Sequence, residues 1–237
     1  MCTNYTPSTR HEIAASRFGV AHLPSEQWPD EVFPGYRAPI VRRGDAGQPS
    51  VCELAQFGLV PRWAQDAVKA RALSRGTYNA RSETAASKPS FGAPWRERQW
   101  ALVPMQSFFE PCWEETDGTA GRPIRWKIAR ADGEPFAVAG LWERWSDVAN
   151  GQPLASFSLL TINADGHALL GRMHRPGDEK RMLVVVPPTH YTRWLHATTA
   201  DAMGMMQAIP AEQLLGVPSP KASATDIAPL PATLPLF

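Results

Sequence analysis

A succession of short β-type runs, separated by Gly- and Pro-containing turns, constrains this chain more than any other feature. The runs are APIVRR (38–43), VCELAQFGLV (51–60), WALVP (100–104), SFFEPCW (107–113), IRWKIA (124–129), FAVAGLWERW (136–145) and FSLLTI (156–161). All are rich in β-branched and aromatic residues, which suit a pleated, half-buried surface. Turn signals such as GDAGQP and ADGEP lie between them, so neighbours are expected to pair antiparallel. Helical patches are short: residues 8–18, 79–88, 164–171, 188–197 and 199–209. In the first of these, Ser8 or Thr9 is placed as N-cap and Glu12 completes a capping box. Residues 19–37 read as loop. The expected fold is α+β: one domain over 1–216 built on a strongly curved, mixed or antiparallel sheet, open and barrel-like, flanked by short helices. Residues 217–237, rich in Pro, Ala and Ser, read as a poorly ordered tail.

Length and composition set limits on function. At 237 residues, 43% hydrophobic and 20% charged, the chain can bury one substantial core. No apolar run approaches a membrane span, and MCTNYTPSTRHE has neither the basic start nor the apolar stretch of a signal peptide. A cytoplasmic location is expected. The cysteines at 2, 52 and 112 are too widely spaced for a disulfide framework, so free thiols are expected. No C-x-x-C or H-x-x-x-H pair is present, and neither a metal nor a cofactor is expected. The net charge of +1 gives no global field toward nucleic acid. Most of the cationic residues are nevertheless arginine, the better phosphate fork, although a GC-rich genome has the same effect on composition.

Four places carry residue types suited to chemistry. Cys2 becomes N-terminal if Met1 is removed. It then offers an α-amine with a pKa of about 7.7–8.0 and a thiol of about 8.5, on adjacent carbons. An aldehyde condenses with the amine to an imine, and the thiol closes on the same carbon to give a thiazolidine. Taken alone, Cys2 reads more readily as a small second residue in a frayed terminus. In Tyr78-Asn79-Ala80-Arg81-Ser82-Glu83-Thr84, Asn79 reads either as an N-cap or as an amide that orients a carbonyl. Arg81 reads as a solvated helix charge or a phosphate clamp. Glu110, in Phe108-Phe109-Glu110-Pro111, is an exposed strand residue or, facing inward, a carboxyl whose pKa burial raises toward proton shuttling. His174 lies in a charged stretch that is a surface loop or a proton donor and acceptor near neutrality.

In combination these motifs resemble the SRAP family, the SOS-response-associated peptidases or abasic-site-processing proteins. The resemblance runs in order along the chain: Met-Cys at the start, Pro34, GLVPRW (58–63), NARSET (79–84), LVP (102–104) with FFE (108–110), AGLW (139–142), Thr161, and His174 with Arg181-Met182. It implies a mixed α+β barrel-like fold and covalent crosslinking to abasic sites in single-stranded DNA through mature Cys2. By position it implies that Asn79 holds amine and carbonyl in line, Glu110 shuttles protons and His174 protonates the sugar oxygen during ring opening. Arg81 and Arg181 would grip phosphates, Trp63 would present an apolar face to a base or sugar, and Pro34 and Thr161 would complete the DNA contact. It further implies β-elimination at the site, self-removal of Met1, a single-stranded DNA partner with no membrane, and a monomer.

The chain departs from the family pattern at several points. Members usually begin Met-Cys-Gly-Arg, whereas Thr3 and Asn4 follow Cys2 here. The usual Asn-x-x-Pro reads Glu31-Val32-Phe33-Pro34, and Phe57 replaces a Trp. The compact His-x-Arg-Met-Pro is stretched by RPGDEK and ends in Leu183, so Arg175 or Arg181 takes the family arginine's place; Arg181 is favoured because Arg-Met runs straight into a strand. Two rival functions use the same residues. A thiol-dependent peptidase would combine Cys2, His174 and Asn79. A non-catalytic single-strand-binding module would use Trp63 and the arginines as a platform.

Overall fold

The structure, a computed structural model, describes residues 2–14, 18–44, 49–113 and 122–220. Its strands are β1 (Asn4–Pro7), β2 (Arg37–Arg42), β3 (Val51–Phe57), β4 (Asn79–Arg81), β5 (Trp100–Cys112), β6 (Ile124–Arg130), β7 (Phe136–Ser146), β8 (Pro153–Asn163), β9 (Arg181–Leu183), β10 (Val185–Val186) and β11 (Leu214–Pro218). The helices are α1 (Arg10–Ala14), α2 (Ala67–Ser74), α3 (Ser82–Ala85), α4 (Gly92–Arg96), α5 (Tyr191–His196) and α6 (Thr199–Met205). Strands β7, β8, β3, β2 and β5 pair in that order, and β5 pairs back onto β7. The sheet therefore closes into a five-stranded barrel. Pairing is antiparallel except where β3 and β4 run parallel to β8.

Strand β5 explains the architecture. The runs 100–104 and 107–113 form one continuous strand that changes partners along its length. Its first half pairs with β2 and β7, and its second half leaves the barrel to pair with β1 and β6. The period of two sorts its side chains. Ala101, Val103 and Met105 join the barrel core with Ile40, Phe57, Val138 and Phe157. Trp100 and Leu102 join an outer core with Trp95, Leu141 and Trp194. There the Trp100 indole donates to Ala197 O (2.9 Å) and the Trp194 indole to Ala101 O (2.9 Å), so α5 is bonded to the barrel wall as well as packed on it. Truncating such a buried aromatic costs about 3–5 kcal/mol. Gly140 in AGLW is required by close approach: a Cβ there would lie 2.9 Å from Ser158 O.

Local expectations fare unevenly. The capping box forms, with Thr9 N donating to Glu12 Oε2 (2.7 Å) and Glu12 N to Thr9 Oγ1 (3.3 Å). Residues 15–17 of that patch lie outside the described residues, as do 45–48 of the GDAGQP turn. The patch 79–88 is not a helix from its start: Asn79 is no N-cap but the first residue of β4, and the helix covers only Ser82–Ala85. Parallel pairing with β8 outweighs local propensity there. At the other end, β11 pairs with β6 through Pro218, and Ser219 N donates to Arg125 O (2.8 Å). Ordered pairing thus extends past the expected boundary at 216, because strand β6 offers an edge to fill. Residues 221–237 lie outside the described residues. No described helix is long and apolar enough to cross a membrane.

Candidate active site

The antiparallel register of β1 on β5 sets the position of Cys2. Asn4 lies opposite Phe109, so the residues preceding Asn4 run alongside Glu110 and Pro111. Cys2 is buried, 1% exposed, and its Sγ donates to Asn4 O (3.3 Å). Burial, reinforced by the negative charge of Glu110, pushes the thiol well above its ordinary pKa. From the opposite side β4 delivers Asn79, whose Nδ2 donates to Cys2 O (2.7 Å). Asn79 Oδ1 is also buried and has no hydrogen-bond partner among the described residues. The amide therefore fixes the Cys2 backbone with its nitrogen and keeps an acceptor available beside it.

Glu110 faces inward, 2% exposed. Burial raises its pKa from 4.5 to about 7. His174 is hung on the same strand, its N donating to Pro111 O (2.8 Å), with Met173 bridged to Cys112. Its backbone is left-handed (φ +65°), a conformation that non-glycine residues adopt rarely and that concentrates at functional sites. The ring Nε2 lies 3.5 Å from Glu110 Oε2 and 3.2 Å from Arg181 O. Burial pushes the imidazole down to about 4.

A charged cluster backs this group. Arg181 is 3% exposed and forks onto Glu83 (2.9 Å to each oxygen), while also donating to Glu179 (2.8 Å) and to Thr161 O (2.8 Å) and Oγ1 (3.2 Å). Arg181, expected from the sequence to grip a phosphate, is held here against protein acceptors. Its two terminal nitrogens are engaged by two carboxylates and by Thr161. Its buried Nε has no hydrogen-bond partner among the described residues, and its own carbonyl supports His174. Thr161, 1% exposed, accepts from that guanidinium through its carbonyl and hydroxyl oxygens. Arg81 differs: it is half exposed and ion-paired at 2.7 Å with Glu179, which joins the two arginines. Trp63 is 46% exposed, its indole donating to Pro89 O (3.2 Å), and Pro34 occupies a half-buried turn. Neither shares a hydrogen bond with the cluster among the described residues. Arg175 lies over the Trp113 ring at 5.2 Å.

The family model described as SOS response associated peptidase (SRAP) matches residues 1–221. The chain belongs to the SRAP family. It is 30% identical over 146 residues to "Abasic site processing protein YoqW" of Bacillus subtilis, 62% of this chain and 58% of that protein. It is 22% identical over 192 residues to "Abasic site processing protein HMCES" of Pongo abelii, 66% of this chain and 53% of that one. The matches thus span little more than half the length of these relatives. A crystal structure of a Bordetella bronchiseptica protein aligns with a TM-score of 0.79 at 29% identity, covering 92% of this chain and 99% of that one. One from Bacteroides thetaiotaomicron (TM-score 0.76, 21% identity, 93% of each chain) shares the fold.

Within this SRAP domain the unusual residues near the N-terminus account for one another. Asn4 donates to Glu31, and Glu31 also pairs with Arg125, whose guanidinium lies 3.3 Å from the Phe109 ring centre. Asn4 on β1 and Arg125 on β6 thus share the Glu31 carboxylate. The RPGDEK insertion is likewise accommodated, because Lys180 donates back to His174 O (3.1 Å) and Arg175 O (3.0 Å). Glu83, Glu179, Lys180 and Arg125 were not singled out from the sequence. Glu83 alone carried a signal, lying two residues from Arg81 in NARSET; the others look like ordinary surface charges.

Proposed function

We propose that this chain processes abasic sites in single-stranded DNA by forming a thiazolidine between mature Cys2 and the open-chain aldehyde of the site. The observation that carries the reading is the Asn79 amide on the Cys2 carbonyl, with Glu110 inward-facing on the neighbouring strand. That arrangement fixes the backbone of the residue whose amine must react. The names of YoqW and HMCES, abasic site processing proteins, support the abasic site as the target.

The steps divide between a carboxyl and an imidazole. Opening the sugar hemiacetal takes a proton from its hydroxyl and gives one to the ring oxygen, a transfer that His174 relays. The Cys2 amine adds to the aldehyde carbon, and Glu110 protonates the departing hydroxyl, so that water leaves and the imine forms. The thiol then adds across C=N: the S–C bond forms and the thiol proton ends on nitrogen. A carboxyl with a pKa of about 7 can give and take protons at neutral pH, which these steps require. From the imine, loss of the proton adjacent to that carbon and departure of the 3′ phosphate would give β-elimination. Self-removal of Met1 would precede all of these steps.

The peptidase alternative is less well supported. A Cys–His–Asn nucleophile needs a thiol activated by imidazole and an amide that orients the ring. Here Sγ donates to Asn4 O, Asn79 holds a Cys2 backbone carbonyl, and the thiol pKa is raised. Incubation with an abasic oligonucleotide, followed by denaturing electrophoresis, tests the proposal. A denaturant-stable adduct with the abasic strand and none with an intact strand is expected; binding that disappears in denaturant would indicate a non-covalent module instead.

A further inference from the structure

The loop after β3 and the helix α2 enclose a second feature, which the chemistry above does not use. A depression of about 390 Å³ is bounded by the turn at Pro34 on one side and by α2 on the other. Val60, Ala70 and Trp145 floor it, members of a small core separate from the two main ones. The Trp145 indole N–H is satisfied beneath by Ala64 O (2.7 Å), leaving an apolar surface upward. Gln56 supplies an amide at the wall. Among the described residues its Nε2 makes only a long bond to Gly58 O (3.4 Å), and its carbonyl oxygen is left for a ligand.

The rim of this depression is cationic. Arg71 and Arg75 line it, and among the described residues no Asp or Glu does. Arg75 continues α2 in helical geometry (φ −65°, ψ −22°), so the two arginines, four residues apart, share one face. Both are exposed, and among the described residues neither guanidinium has a hydrogen-bond or ion-pair partner. Arg62, Arg81, Arg125, Arg144 and Arg181, by contrast, all sit against carboxylates. A pair of uncompensated guanidiniums above an apolar floor with one amide in its wall matches a nucleotide: a phosphate for the fork and a base for the floor. The chain from Arg75 to Asn79 spans at most about 14 Å, so such a nucleotide would belong to the strand running past Cys2.

We propose that this depression is a nucleotide subsite for the strand flanking the abasic site, with Arg71 and Arg75 on one phosphate and the base on the Val60–Ala70–Trp145 floor beside Gln56. The proposal rests on the DNA reading of Cys2 and adds to Pro34, the one expected DNA-contact residue that borders this depression, a phosphate grip from Arg71 and Arg75.

Fluorescence anisotropy with intact single-stranded DNA across a salt series, on the full chain, tests it. Arg71→Ala/Arg75→Ala should flatten the dependence of log affinity on log salt by about 0.7, the value of one phosphate contact, and weaken binding about 5-fold at 0.1 M salt. The crosslinking rate at saturating abasic DNA should be unchanged, since neither residue touches the reacting atoms. Arg71→Lys/Arg75→Lys should restore the slope. Arg43→Ala, exposed beyond the far end of β2, is the control and should leave it unaltered. Gln56→Ala should weaken binding with the slope retained; unchanged affinity there would overturn the base half of the subsite. A double alanine variant that keeps the parent slope, or a control that loses as much, overturns the phosphate grip. A parent protein that neither binds nor crosslinks overturns the DNA reading itself, a separate result.

Discussion

His174 Nε2 lies 3.5 Å from Glu110 Oε2, and burial reverses the usual order of their proton affinities. The carboxyl rises to about 7 while the imidazole falls to about 4. At neutral pH the imidazole is therefore neutral, and Glu110 is the group that both holds and releases a proton. In the proposed reaction His174 would relay a proton along the contact, and Glu110 would be the store.

Glu110→Gln keeps the shape and cannot transfer protons. It should slow crosslinking by about 10²-fold or more, the usual scale for losing a general acid–base. His174→Gln should slow it less on a simple aldehyde that has no ring to open. Single-turnover rates at saturating substrate measure both; an unchanged rate in Glu110→Gln would make that carboxylate structural.

Burial of Glu110 also has a stability consequence. Its folded pKa lies above the ordinary value, so its contribution is fully present below about 4.5 and is lost as pH rises through about 7. Glu110→Gln should therefore gain on the parent by on the order of 3 kcal/mol between pH 4.5 and 8. His174 runs the other way: its folded pKa is depressed, so its contribution is present above about 6.5 and is lost as pH falls through about 4. Urea unfolding of the parent and both variants across this range checks the signs.

Arg81 and Arg181 should separate cleanly. Arg181→Ala leaves Thr161 O and two carboxylates without their buried cation and should cost about 2–4 kcal/mol, toward the lower part of the range for broken buried pairs because Glu83 and Glu179 are partly exposed. Arg81→Ala breaks an exposed pair and should change stability by about 0.5 kcal/mol or less. Its effect should appear in the salt dependence of DNA binding, as a slope flatter by about 0.7. Thermal melts and salt titrations of the two variants distinguish a positioning arginine from a phosphate ligand.

Cys52 and Cys112 are buried in different cores, and burial pushes the Cys52 thiol up to about 12. Cys52→Ala and Cys112→Ala should keep the crosslink, and Cys2→Ala should abolish the thiazolidine. Loss of the adduct in Cys52→Ala alone would move the nucleophile.

Much of this was legible in the sequence where local pattern and tertiary demand agree. The β-runs became strands, Thr9 and Glu12 formed their box, and Cys2, Asn79, Glu110 and His174 came within one neighbourhood. Expectations failed where a long-range partner decides. The break expected between WALVP and SFFEPCW does not exist, because β5 exchanges neighbours without ending. Asn79 became a strand residue through β8, 80 positions away in the register pair with Leu159. Nothing in the segment of Arg181, read as a phosphate grip, reveals that Glu83, 98 residues distant, pairs with it. Asn4 and Glu31 each looked like a loss until Arg125 joined them.

The central claim is that the α-amine of Cys2, and not its thiol alone, attacks the aldehyde. Intact mass of the product with an abasic oligonucleotide tests it most directly, comparing mature chain with chain acetylated only at that amine. The mature protein should give the sum of the two reactants less one water, and the acetylated protein should give no adduct. An adduct of equal yield from the amine-blocked chain would contradict the account and leave a thiol nucleophile in its place.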